Sequence, residues 1–189
     1  MTEPLTAIRD PRTLRERYAD PQAARDRAEA LRREIREAPD EVAELIARAE
    51  LVDVLRVLGD LDNALHEARA AADRAEIAGT GPQQHTARVR LAHVHQWRGE
   101  FAESNVEYTE LLAAAGQFGP VIEAFTHQHA GENDFEQGHW ADAVAHFERA
   151  LRLRADLELP DEELEPSRVC LSAARQRLQD GPADEGKRE

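Results

Sequence analysis

The chain has 189 residues, 33% of them charged, with 24 Lys and Arg against 38 Asp and Glu and a formal net charge of -14. That length holds one good-sized core or a short array of helical hairpins rather than two large domains. The acidic balance argues against sequence-independent binding to nucleic acid or to an anionic membrane, which needs a basic face to displace counterions.

Residues 1–40 carry nine Arg and nine acidic residues, leaving 15 of the basic and 29 of the acidic residues to the rest of the chain. The acid excess therefore belongs to the region after residue 40, and a partner is expected to be basic or neutral. Cys170 is the one cysteine, so no intramolecular disulfide forms and the thiol reads as a small buried apolar group. Met1 to Asp10 lack the apolar core of a secretory signal, and no stretch of eighteen apolar residues occurs, so a cytoplasmic protein is expected. Lys187 is the sole lysine, a bias that fits a GC-rich, bacterial genome.

Alanine, leucine, glutamate and arginine dominate, and apolar residues recur at three and four positions, so the chain reads as all-α with no sheet. Residues 1–20, with Pro4, Asp10 and Pro11, read as irregular. A helix is expected over Pro21 to Glu37, with Ala24, Ala28, Leu31 and Ile35 as its apolar stripe. Pro39 and Asp40 separate it from a helix over Glu41 to Leu58, which should bury Val42, Leu45, Leu51, Val52, Leu55 and Leu58. Gly59 and Asp60 turn the chain into a return helix from Leu61 to about Ala78, with Asp60 as its cap.

The loop Gly79 to Gln84 precedes a second hairpin, His85 to Arg98 with Phe101 to Ala115. A break at Gly116 to Pro120 precedes the third, Val121 to Gln137 with His139 to Leu157. The repeats thus run over about 41–78, 85–116 and 121–157 within one unit of residues 21–179. A helix over 162–179, carrying Leu164, Val169, Leu171, Ala174 and Leu178, reads as a cap on the apolar side of the third hairpin. Residues 180–189 read as a disordered polar tail.

The three hairpins share a signature. At two, five, nine, twelve and thirteen positions after Gly59 stand Leu61, Ala64, Ala68, Ala71 and Ala72; after Gly99, Phe101, Ser104, Tyr108, Leu111 and Leu112; after Gly138, Trp140, Ala143, Phe147, Ala150 and Leu151. The glycines lie 40 and 39 residues apart, the mark of a repeat protein. The turns Gly59-Asp60-Leu61-Asp62-Asn63-Ala64, Gly99-Glu100-Phe101-Ala102-Glu103-Ser104 and Gly138-His139-Trp140-Ala141-Asp142-Ala143 resemble those of the tetratricopeptide repeat family. The string His146-Phe147-Glu148-Arg149-Ala150-Leu151 resembles its second helix. The resemblance implies a right-handed array of antiparallel helical hairpins, an α-solenoid with an extra N-terminal helix and a C-terminal capping helix. The period here exceeds the family's 34 residues, and Arg48, Arg88 and His127 stand where the family often has a large aromatic.

In that family the first helix of each pair lines the concave surface. Aligning the turns places Asp53, His93 and Glu132 six residues before each glycine and Arg56, Gln96 and Phe135 three before, in rows across one groove between helices about 10 Å apart. With Arg90 and Gln128 they form a polar floor suited to an extended peptide or helix. The leading expectation is a protein- or peptide-binding scaffold using Asp53, Arg56, Arg90, His93, Gln96, Gln128 and Glu132, with no cofactor and no chemistry. A homodimer through an end hairpin is a further possibility.

The histidines offer the alternative, a small-molecule or metal-dependent enzyme in the same groove. His93, His95, His127 and His129 cluster on two first helices, but residues two apart on a helix point roughly 200° from each other, so one of each pair faces a shared cavity. His93, Glu132 and either His129 or Asp53 then form the candidate site for a metal or acid–base work, while His95 and His127 are packed or capped. Gly131-Glu132-Asn133-Asp134 lacks the alternation of a calcium loop and reads as a polar stretch. Trp140 reads as core, and Trp97 as a core or lip residue.

Overall fold

At Gly59, Gly99 and Gly138 the backbone is left-handed, with φ of 79°, 76° and 80°. In each turn the glycine N–H reaches the carbonyl three residues back and the next N–H the carbonyl five back. The pairs are Gly59 to Arg56 with Asp60 to Leu55, Gly99 to Gln96 with Glu100 to His95, and Gly138 to Phe135 with His139 to Asp134. This is the double bond that closes a helix on a left-handed residue and lets the next helix start at once.

The computed structural model describes residues 5–181. Two short strands, β1 (Ala7–Arg9) and β2 (Glu16–Tyr18), precede helices α1 (Pro21–Arg36), α2 (Glu41–Leu58), α3 (Leu61–Ala78), α4 (Gly81–Trp97) and α5 (Phe101–Ala115). A 3₁₀ turn (Gly116–Phe118) leads to α6 (Pro120–Glu136), α7 (Trp140–Asp156) and α8 (Asp161–Asp180). The fold is an all-α array in which every helix packs against the next along the chain, with α1 as an extra N-terminal helix and α8 closing the C-terminal end. The tail beyond residue 181 and residues 1–4 lie outside the described residues.

Helices α2, α4, α6 and α8 also touch one another in succession, and no comparable contact joins α3 to α5 or α5 to α7. The first helices of the hairpins therefore form the inner row and the second helices the outer one. The positions of the glycine signature hold the two rows together. Ala64, Ser104 and Ala143 are wholly buried, as are Phe147 and Ala150, and Ala68, Ala71, Tyr108 and Leu111 are nearly so. Small side chains at the first of these positions let paired helices approach closely.

Several local expectations are corrected. The segment read as irregular contains an antiparallel pair, Ala7 opposite Tyr18, Ile8 opposite Arg17 and Arg9 opposite Glu16. Helix α4 begins at Gly81, ahead of the expected start, because the Gln83 side-chain carbonyl accepts from the Thr80 N–H at 2.8 Å and Pro82 falls in the first turn, where its missing N–H costs nothing. The Asp60 carboxylate makes no cap bond and accepts instead from Asn63. Val42 and Leu178 are 52% and 47% exposed, since they sit in the outermost turns of α2 and α8. Trp140 is half-buried against the cluster around Phe147.

Gly131 is a packing glycine within α6 rather than part of a plain polar stretch. A Cβ there would lie 2.7 Å from Cε1 of the buried Phe147 ring, whereas a Cβ at Gly99 meets nothing within 4 Å. Two glycines thus carry different constraints, one steric and one conformational. Gly131→Ala is expected to cost about 2 kcal/mol through overpacking, and Gly99→Ala about 1 kcal/mol through its backbone alone. Urea unfolding checks both, and a Gly131→Ala chain as stable as wild type would mean that Phe147 has room to spare.

Candidate functional site

The inner row is not open along its length, because β1 and β2 lie across it. Their turn is built by Asp10, whose carboxylate accepts from the Arg12 N–H at 2.8 Å and whose carbonyl accepts from the Leu14 N–H at 2.7 Å, an aspartate-proline turn of ordinary chemistry. Leu14 then adopts φ 61°, a left-handed conformation that costs a branched side chain roughly 1–3 kcal/mol. Its burial offsets that strain. The side chain is 3% exposed and joins the cluster of Phe135, Ala143, Phe147, Cys170 and Ala174 on α6, α7 and α8. At the other end Tyr18 and Leu5 pack against the cluster around Leu51 and Leu55 of α2.

Between these apolar ends runs a chain of alternating charges. Arg56 on α2 lies 3.6 Å from one oxygen of Glu16, and Arg9 is 2.7 Å from the other. Arg9 donates to Glu132 of α6 at 2.7 Å and to the Leu14 carbonyl at 2.8 Å. Arg15 grips Glu136 with Nε at 2.7 Å and Nη2 at 3.0 Å. The guanidinium groups of Arg15 and Arg56 both lie over the Trp97 ring, 5.2 and 4.6 Å from its centroid.

Glu132 is the centre of the site. It is 3% exposed and receives four contacts: Arg9 and Gln128 Nε2 (3.0 Å) on one oxygen, His129 Nδ1 (3.3 Å) and His93 Nε2 (3.2 Å) on the other. Burial alone would raise its pKa. Arg9, followed by the two imidazoles, outweighs burial and holds the carboxyl well below its usual range. Burial, then Arg56 and His129, push His93 well below the usual imidazole value, so it is neutral. The Trp97 indole N–H donates to His93 Nε2 at 3.1 Å, and the same nitrogen lies 3.2 Å from Glu132.

The expected floor divides into two parts. Arg56, His93, Gln96, Gln128 and Glu132 are buried, at 5%, 3%, 1%, 4% and 3% exposure, under β1, β2 and α8. Gln128 is clasped from α8 by Ser167, whose hydroxyl donates to its carbonyl at 2.6 Å, and its amide faces Cys170 Sγ at 3.3 Å. Asp53 and Arg90 remain partly exposed, paired with each other at 3.1 Å. They line an open cavity of about 440 Å³ together with Leu45, Ile46, Gln83 and Ala87. His93 and His129 converge, their ring centroids 4.2 Å apart, while His95 turns away to Glu100 at 2.6 Å and His127 to His146 at 2.8 Å. Ligand atoms of His93, His129 and Glu132 all lie within 4.8 Å of one another. Asp53 is not among them.

Cys170 is buried, and its thiol is pushed up to about 12 by that burial and then by Glu132. It is therefore a poor nucleophile.

Sequence reasoning missed the residues that complete the site, Arg9, Arg15 and Glu16, because the segment that carries them shows no helical period. It also missed a repeated polar pair. Arg48 meets Glu67 at 2.5 Å, Arg88 meets Glu107 at 2.8 Å and His127 meets His146. The spacing is 19 residues each time, and each pair joins the first to the second helix of a hairpin. A search for recurrent pairs at one spacing would have found it.

No protein-family model and no curated protein matches this chain. A crystal structure of BtubC (BKLC) from P. vanneervenii is similar to it, with a TM-score of 0.61 and 20% sequence identity over 84% of this chain. The likeness is one of fold. This chain spans 66% of the length of that one.

Removing the Glu132 charge takes from the partly buried Arg9 one of its two carboxylates and leaves it Glu16, so Glu132→Gln is expected to cost about 2 kcal/mol in urea unfolding. The pH dependence follows from the lowered pKa. The stabilisation is complete above the unfolded value of about 4.5 and is lost as pH falls below it. Between pH 4.5 and 3 the wild-type chain should therefore lose stability more steeply than Glu132→Gln. Parallel slopes for the two proteins would contradict this assignment.

Proposed function

We propose that this chain is a binding scaffold, a tetratricopeptide-like array that recognises a protein or peptide segment along the inner row of α2, α4, α6 and α8 and performs no chemistry there. One observation carries the reading: residues 7–18 of the chain already lie across that row as a peptide ligand would, with Arg9 on the buried Glu132 and Leu14 in an apolar pocket. The groove thus has the composition of a recognition surface, a few directed polar contacts around an apolar anchor. The charge excess of the chain favours a basic or neutral partner. The part beside Asp53, Arg90 and Ile46 is uncovered and supplies further contact area.

Among the described residues no helix is long and apolar enough to cross a membrane.

Peptide display on the full-length chain tests the proposal. Selected peptides should bind at micromolar Kd, and reversing the open pair with Asp53→Arg and Arg90→Asp should weaken them at least tenfold. Selection that yields nothing, or peptides indifferent to both changes, would count against it.

A second reading, a metal-dependent or acid–base site, rests on the convergence of His93, His129 and Glu132. Two imidazoles and a carboxylate with a fourth position open form a donor set that suits zinc. Against it stand Arg9, which already neutralises Glu132, and the Trp97 N–H directed at His93. The scaffold reading expects no stoichiometric transition metal in protein purified without chelator. One zinc per chain, lost in His129→Ala, would favour the alternative.

A further inference from the structure

We propose that the groove selects its partner by an arginine directed at Glu132, and that residues 7–18 are an intramolecular occupant which such a segment displaces. The proposal rests on the reading of the inner row as a binding surface. Glu132 is buried on α6, and Arg9 is the one cationic side chain among the described residues that bonds to it directly. The helices that meet there, α4 and α6, contribute two imidazoles and an amide in contact with it, and no arginine or lysine. The position is therefore built for a guanidinium delivered by a segment lying on the groove.

The chain's own segment fills the site incompletely. Arg56 is 5% exposed, yet among the described residues its Nε and Nη1 have no partner, and the nearest carboxylate, Glu16, stops at 3.6 Å. The Gln96 carbonyl oxygen is likewise buried without a donor. Leu14 reaches its pocket only with a left-handed backbone. Buried donors and acceptors left unpaired, and strain in the anchor residue, both weaken the hold of this occupant. A partner segment with an arginine for Glu132 and a carboxylate brought within hydrogen-bond distance of Arg56 satisfies more of the groove. The partner is thus an extended or hairpin segment carrying an arginine with an acidic residue beside it across the strand pair, as Arg9 stands beside Glu16. Its net charge remains near neutral, in keeping with an acidic receptor.

The hairpin can leave without taking the array apart. It joins α1 through Ala19 and Asp20, and Asp20 caps that helix by accepting from the Gln22 and Ala23 N–H groups. The helices pack on one another along the whole chain.

The test uses the full-length chain and a fluorescently labelled synthetic peptide of residues 5–19 as the probe, read by anisotropy, with hydrogen exchange followed in the same proteins. In Arg9→Ala/Arg15→Ala the amides of β1 and β2 should exchange at least tenfold faster than in wild type while those of α2, α4 and α6 keep their protection. That chain should bind the peptide at least tenfold more tightly than wild type does. Replacing the arginine of the peptide that corresponds to Arg9 by alanine should remove that gain. Leu14→Ala provides an independently opened chain with both arginines intact and should bind the peptide in the same way. Strand amides that stay protected in both opened chains would overturn the proposal. Equal affinity for wild-type and opened chains, or indifference to the peptide's arginine, would overturn it while leaving groove binding intact. Release of the strands with no binding to any chain would overturn both.

Discussion

A carboxylate buried among helices must be given a cation or be protonated, and Glu132 imposes that condition on this structure. The helices around it bring Gln128, His129 and His93, the last of them neutral. A guanidinium comes from Arg9, more than a hundred residues away in sequence. Once Arg9 is seated, the rest of the N-terminal segment is constrained: Glu16 is paired across the strands, Arg15 is placed on Glu136, and Leu14 is carried into its pocket at the expense of a left-handed backbone. The two-stranded pair is too short to be stable by itself. It exists because the groove orders it.

The array beneath obeys a simpler rule. Gly59, Gly99 and Gly138 end three helices in one geometry, and the residues that follow at fixed spacing pack the outer row onto the inner row. In place of a large aromatic joining the two helices of a pair, Arg48, Arg88 and His127 are bonded to Glu67, Glu107 and His146. Half-buried ion pairs replace apolar contact at that point in two of the hairpins, and an imidazole pair does so in the third.

How much of this was legible in the sequence follows from the range of each interaction. The helices, their ends and the small residues at Ala64, Ser104 and Ala143 are set by periodicity and by glycine, signals that lie within a few residues of one another. The register of the turns also carried His93 and Glu132 to the same groove, and the 200° argument separated His93 and His129 from His95 and His127. What the local pattern did not carry was burial. Arg56, Gln96 and Gln128 are polar and belong to the expected polar floor of a binding groove, whereas the N-terminal hairpin and α8 cover them. The signal for that cover is a pairing of Arg9 with Glu132 across 123 residues, and no periodicity records it. The conformation of Leu14 was equally hidden, because a leucine adopts positive φ only when the surroundings demand it.

The central claim is that Arg9 and the buried Glu132 act as one pair that closes the groove, and a double-mutant cycle measures it most directly. Arg9→Ala, Glu132→Gln and the combined variant are compared with wild type by urea unfolding at neutral pH. The account predicts a coupling of at least about 1.5 kcal/mol, the double variant losing little more than the worse single one. Losses that add to within about 0.5 kcal/mol would show that the two residues are energetically independent and would contradict it.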